Sequence, residues 1–279
     1  MNNKIKRSRL AAMNYYYRNY TFDYFLDSVC KNGLSNIELW TSPQHFWIEK
    51  TGYQNVDSIK KRLADHHLKV ICLTPQQSNP NPYNLAAKGR NLREGSLNYF
   101  KNLIDASAEL GVHMVALNSG WDYYDEDPKA AWDRSVEMMK NVAEYASSNE
   151  VKVAIEALQP EESHLVNSIV DLKLYLECVD EENVGINIDL GAMARNKETI
   201  SQYFEAFGYK IIHCHFVDGN PVGHKCWGEG TRNPANDLKT FNTFQYHGDF
   251  TFEFGQPQYF LNPAQTELKA LNFLKPFLE

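Results

Sequence analysis

Short apolar runs alternate with amphipathic segments along the whole chain, and this alternation limits the fold more than any other feature. Strand-like runs fall at 9–13, 36–40, 70–74, 113–118, 151–158, 184–190, 211–217 and 250–254. Helical periodicity fills the gaps at 22–32, 56–67, 92–110, 129–147, 167–179, 197–207, 236–246 and 263–278. In 92–110, Leu97, Phe100, Ile104 and Ala108 recur at steps of three or four residues, and Gly111 can terminate the helix. Strict alternation implies parallel strands joined by right-handed crossovers, and eight such units can close on themselves. An α/β fold follows, a (β/α)8 barrel occupying 1–279 as one domain, and 279 residues suit it. An open doubly wound sheet competes less well, because no G-x-G-x-x-G follows the first run.

Four of the last strand-like runs end on a metal-ligating side chain. VKVAIE ends on Glu156, VGINID on Asp189, IIHCH on His215 and DFTFE on Glu253, separated by 33, 26 and 38 residues. Each gap fits one strand-plus-helix unit, so neighbouring strands would deliver all four to the mouth where barrel active sites form. Three carboxylates and one imidazole suit one divalent ion, Mn²⁺, Mg²⁺ or Co²⁺, with Zn²⁺ also accommodated. One acid at a strand end is commonly a helix cap or a surface group; four at matching ends are not explained that way.

Composition narrows the function. A net charge of −7, with no long run of one sign, argues against phosphate-backbone binding. No stretch has membrane-spanning length, and MNNKIKRSRL is basic but lacks the apolar region of a signal peptide. Five cysteines without a C-x-x-C read as reduced, mostly buried thiols of a cytoplasmic protein. Aromatic content of 13% allows a homodimer or tetramer without specifying either.

Other residues are candidates for binding substrate. His213 shares a strand face with His215 and is either a support or substrate group or a satisfied core histidine. Glu162, six residues after Glu156, can orient a ligand or accept a substrate hydroxyl, or is a solvated loop acid. DGNPVGHKCWGEGT after the seventh run offers His224 as donor, Lys225 as cation and Trp227 as stacking face. The loop 75–84 contributes Tyr83, and 118–128 contributes Trp121 and Tyr123, as aromatic wall; turn chemistry alone also accounts for their prolines and asparagines.

The chain resembles the sugar phosphate isomerase/epimerase group of xylose isomerase-like barrels over nearly its whole length. The likeness rests on IELW at 37–40, TP at 74–75 with PYN at 82–84, REGSL at 93–97, E-x-L-x-P-x-E-S at 156–163, H-x-H-x-V-D at 213–218, GEG at 228–230 and Glu253. The resemblance implies that Glu156, Asp189, His215 and Glu253 bind the metal and that Glu156 and Glu253 are also the acid/base pair. In the ketose 3-epimerases of this group, a histidine three residues after the metal aspartate and an arginine six after the metal histidine contact substrate. Ala192 and Pro221 stand there in this chain, which favours a fructoselysine-like ketosamine over a free hexulose.

A metal on a ketose carbonyl and its neighbouring hydroxyl acidifies the α-proton, and a carboxylate can then take it through an enediolate. Return from the opposite face gives epimerisation, and return to the neighbouring carbon gives aldose–ketose isomerisation. Inosose-type dehydration and hydroxypyruvate-type isomerisation use the same enolisation. A barrel endonuclease for abasic sites would carry further histidine ligands and a basic groove. The reading outside catalysis is a sugar-binding regulatory barrel.

Overall fold

The structure is a computed structural model that describes residues 4–78 and 81–279; Asn79 and Pro80 of the Pro-rich loop and the first three residues lie outside it. The strands are β1 (Leu10–Met13), β2 (Asn36–Thr41), β3 (Ile48–Glu49), β4 (Gly52–Tyr53), β5 (Lys69–Pro75), β6 (Met114–Asn118), β7 (Lys152–Glu156), β8 (Val184–Asp189), β9 (Ile211–His215) and β10 (Phe250–Phe252). The helices are α1 (Phe22–Lys31), α2 (Val56–Asp65), α3 (Arg90–Leu110), α4 (Pro128–Ser148), α5 (Ile169–Val179), α6 (Leu190–Arg195), α7 (Ile200–Phe207), α8 (Pro234–Thr243) and α9 (Pro263–Leu274). Among the described residues, eight parallel strands close in the order β1-β2-β5-β6-β7-β8-β9-β10, and β10 returns to pair with β1. The expected (β/α)8 barrel is therefore the fold.

Local chemistry sets the helix ends. Gly111 adopts φ 72° and accepts no steric penalty there as it ends α3. Ser168 and Asp171 form a reciprocal capping box on α5, and Thr199 and Gln202 do so on α7. Pro128 and Pro234 open α4 and α8, where a missing N–H costs nothing. The layer between strands and helices is closely packed and aromatic, with Tyr99, Phe100, Tyr175, Tyr203, Phe216 and Phe241 fully buried.

Three differences from the sequence expectation have local causes. The segment 197–207 begins later, at Ile200, because Lys197 sits at φ 60° and the Thr199 box restarts the helix. Before it lies α6, a short helix capped by Asp189, whose Oδ1 accepts from the Ala192 N–H at 2.6 Å; at six residues it is too short to show helical periodicity. A β3–β4 hairpin interrupts the β2-to-α2 connection, with two residues in each arm, too few to show periodicity. No helix among the described residues is long and apolar enough to cross a membrane.

Candidate metal centre

Register and bulges aim the strand ends at one point. Asp189 pairs with His215 across β8 and β9, after an irregularity at Ile186/Asn187 that also brings Asn187 level with His213. Such a bulge re-aims the side chains beyond it. Glu156 closes β7, and Glu253 is the first residue past β10. Nδ1 of His215 stands 3.2 Å from Glu156 Oε2, 3.5 Å from Asp189 Oδ2 and 3.0 Å from Glu253 Oε2. Asn187 Nδ2 donates to Glu156 Oε2 at 3.0 Å.

The electrostatics of this cluster call for a cation. Burial raises the Glu156 and Glu253 carboxyls above their ordinary range, His215 opposing it. Burial works in the same direction on Asp189, but His224 and His215 outweigh it and hold that carboxyl well below the usual range. For His215 burial favours the neutral ring, and the surrounding carboxylates, Glu253 and Glu38 foremost, overcome it and raise the imidazole well above its ordinary value. Buried carboxylates this close need positive charge among them, which the two imidazoles or a bound cation can supply. Hard oxygens with one imidazole are a donor set that fits a divalent ion; Glu156, Asp189 and His215 form one group close enough to share one, and Asp189 and Glu253 form another with His224.

Above the cluster opens a cavity of about 250 Å³, lined by Glu156, Asp189 and Glu253 and by Tyr15, Trp40, Gln77, Glu162 and His224. It sits at the carboxyl ends of the strands, where barrel enzymes bind substrate.

Residues 26–277 match the family described as xylose isomerase-like TIM barrel. The chain belongs to that family. It is 25% identical to fructoselysine 3-epimerase of Shigella flexneri over 246 residues, covering 86% of this chain and 89% of the relative. It is 27% identical to D-psicose 3-epimerase of Ruminiclostridium cellulolyticum over 204 residues, covering 71% and 67%. A crystal structure of 3-keto-D-glucoside 4-epimerase from E. coli superposes with a TM-score of 0.79 at 15% identity, over 96% of this chain and 99% of that one, a likeness of fold. These relatives are sugar epimerases, which are isomerases.

The xylose isomerase-like barrel brings some predicted substrate residues to the cavity and keeps others away. Glu162 lines it, with Oε2 accepting from the Gln159 N–H at 3.1 Å, and burial raises its carboxyl. His224 lines it too, donating from Nε2 to Asp189 Oδ2 at 2.8 Å; burial lowers this imidazole, but Asp189 and Glu253 carry it up to about 10. Trp227 does not reach the wall: it is fully buried, its Nε1 donating to the Phe216 carbonyl at 3.0 Å and its ring 4.4 Å from that of Phe216. Tyr83 stacks on Tyr99 at 4.0 Å, its hydroxyl accepting from the Lys50 N–H. Lys225 serves the loop through its backbone, exchanging hydrogen bonds with Asp218 at 2.8 and 3.0 Å. Trp121 and Tyr123 pack edge-to-face on each other, outside the cavity wall. The expected aromatic wall is supplied instead by Tyr15 and Trp40, 5.1 Å apart and perpendicular.

His213 lies fully buried beneath the centre and donates from Nε2 to Glu38 Oε2 at 2.6 Å, so it supports rather than lines the cavity. Glu38 is the residue sequence reasoning missed as part of the site. Its Oε1 accepts from His215 Nε2 at 3.1 Å and from the Thr74 hydroxyl. The signal was in IELW: one acid inside an apolar strand points inward only if something there pairs with it. Asp218 is the second omission. Its buried carboxylate accepts from the backbone N–H groups of Gly219, Gly228, Gly230 and Arg232 at 2.8 to 3.1 Å, folding the loop around itself. A Cβ at Gly230 would lie 2.2 Å from Asp218 Oδ1, which accounts for the second glycine of GEG.

Proposed function

We propose that this protein is a divalent-cation-dependent sugar epimerase or isomerase acting on a ketose or a fructoselysine-like ketosamine. The observation that carries the reading is the disposition of Glu156 and Glu253. They come from β7 and β10, with β8 and β9 between them, and both present a carboxylate oxygen beside His215 at the floor of one cavity. Two carboxylates placed on either side of a bound sugar can remove a proton from one face and return one to the other. Burial raises both above the ordinary carboxylate range, toward the working range of an acid/base pair.

Asp189 and His215 would hold the cation with Glu156 and Glu253. When bound, such an ion withdraws charge from a carbonyl and its neighbouring hydroxyl, which acidifies the proton between them. The remaining work falls to the chain. Glu162 accepts from sugar hydroxyls, Trp40 and Tyr15 cover the apolar face of the carbon chain, and Gln77 closes the rim. The free, largely buried cysteines fit a cytoplasmic enzyme.

Incubating Mn²⁺-loaded protein with ketoses, ketose phosphates and Amadori compounds in deuterated water, followed by NMR, tests this reading. Deuterium entering one carbon beside the carbonyl, with an epimer or isomer accumulating that has lost no water, is the expected result. A dehydrated product would replace it with the inosose-type reaction. Sugar binding without any exchange would make this a regulatory barrel.

A further inference from the structure

Two oxygens of the centre are each flanked by two imidazoles. Asp189 Oδ2 lies 3.5 Å from His215 Nδ1 and 2.8 Å from His224 Nε2. Glu253 Oε2 lies 3.0 Å from the first and 3.4 Å from the second. His224 thus stands to these oxygens as the ligand His215 does, and Asp189, His224 and Glu253 by themselves form a group close enough to share an ion. Neighbouring donors in a six-coordinate shell with bonds of about 2.1 Å are roughly 3 Å apart, the spacing found here. The other oxygen of Asp189 is already committed to the Ala192 N–H, so Oδ2 is the one left for an ion.

We propose that His224 is a fifth protein donor to the cation, supplied by the loop after β9 and exchangeable for a sugar oxygen; the inference rests on the metal centre proposed above. The ring is delivered to its place by the fold. The His224 carbonyl accepts from the Gly255 N–H at 3.0 Å, tying it to the segment that follows Glu253. Its Cε1 lies so close to α6 that a Cβ on Gly191 would stand 3.1 Å away. Asp218 and its four backbone donors hold the rest of the loop. Exposure separates the two histidines: the His215 side chain is 0% accessible and sits on a strand, whereas that of His224 is 21% accessible and faces the cavity. The donor on the cavity side is the one that an incoming sugar can replace.

Pulsed EPR of Mn²⁺-loaded protein counts directly bound imidazole nitrogens, and calorimetry gives the affinity. Wild type is expected to show two nitrogens. His224→Asn and His224→Gln are expected to show one, with Mn²⁺ affinity lower by tenfold or more, and His215→Asn should also lose one. A saturating unreactive polyol should reduce the wild-type count from two to one. A single nitrogen in wild type overturns the proposal even if affinity falls in the variants, because His224 then acts only by hydrogen bonding to the carboxylates. A count that stays at two with the polyol bound overturns the exchange. Absence of Mn²⁺ binding by wild type would instead sink the metal centre itself, and thermal unfolding of the ion-free variants checks that each is folded.

Discussion

Glu38 reaches across the barrel to Nε2 of His215 at 3.1 Å, on the opposite side of the ring from the nitrogen that faces three carboxylates. The pair decides which nitrogen is offered to a cation and locks the ring in place. Burial pushes the Glu38 carboxyl up, yet His213 and His215 hold it well below the usual range, so it acts as a charged acceptor.

Glu38→Gln should therefore weaken divalent-cation binding by about 10- to 100-fold while the barrel stays folded. Glu38→Ala should also cost about 3 kcal/mol or more of stability, since it leaves the buried His213 and His215 without their shared acceptor. Titration calorimetry and denaturant unfolding of the ion-free proteins separate the two effects. Wild-type affinity in Glu38→Gln would mean that Asn187 and the strand alone orient His215.

Glu156→Gln and Glu253→Gln should each reduce turnover by about 10²- to 10⁴-fold. Deuterium exchange from solvent into the substrate should fall with it, and circular dichroism should not change. If one variant exchanged solvent protons at the wild-type rate, its glutamate would be a ligand and no more.

Asp218→Ala should loosen the loop without touching the strand ends. Four backbone N–H groups would lose their acceptor, at about 1 kcal/mol or more in total. Amide hydrogen exchange over 219–232 should accelerate, and kcat/KM should drop because His224 is no longer held beside Asp189. Unaltered protection of these amides would show that the Lys225 and Trp227 contacts suffice.

Glu267 gives a pH signature remote from the Glu156–Asp189–His215–Glu253 cluster. Burial lifts its carboxyl to about 7, against hydrogen bonds from Asn32 at 2.8 Å and from Tyr16 at 2.9 Å. Because the folded value lies above the unfolded one, this group's contribution to stability is complete below pH about 4.5 and is lost as pH rises through about 7. Relative to wild type, Glu267→Gln should gain about 2 kcal/mol between roughly pH 5.5 and 8. Urea unfolding across that interval measures it, and parallel curves for the two proteins would contradict the shift.

Much of the centre was legible beforehand because barrel strands carry their chemistry at one end, and the period of strand-plus-helix units is visible in apolar patterning. That Glu156, Asp189, His215 and Glu253 would meet at one end of the barrel was readable for that reason, as was the chain's likeness to its family. Trp227 shows where this reading fails. A tryptophan in a glycine-rich loop looks like a stacking face, but its indole N–H finds the Phe216 carbonyl and its ring finds the core. Tyr83 fails similarly, since its partner Tyr99 lies a helix away in sequence.

The sequence by itself determined the alternation of elements, the parallel barrel and the residue types gathered at its mouth, because these depend on local periodicity and on spacing along one chain. Only the tertiary structure decided that Glu38 supports His215, that Asp218 organises the loop, and that Tyr15 and Trp40 rather than Trp227 line the cavity. Of those relationships, the first joins residues 177 positions apart, and Tyr15 and Trp40 meet across 25. They arise from bulges, strand tilt and closure, which turn a side chain inward or outward by a shift of one residue, and no periodicity along the chain records that shift.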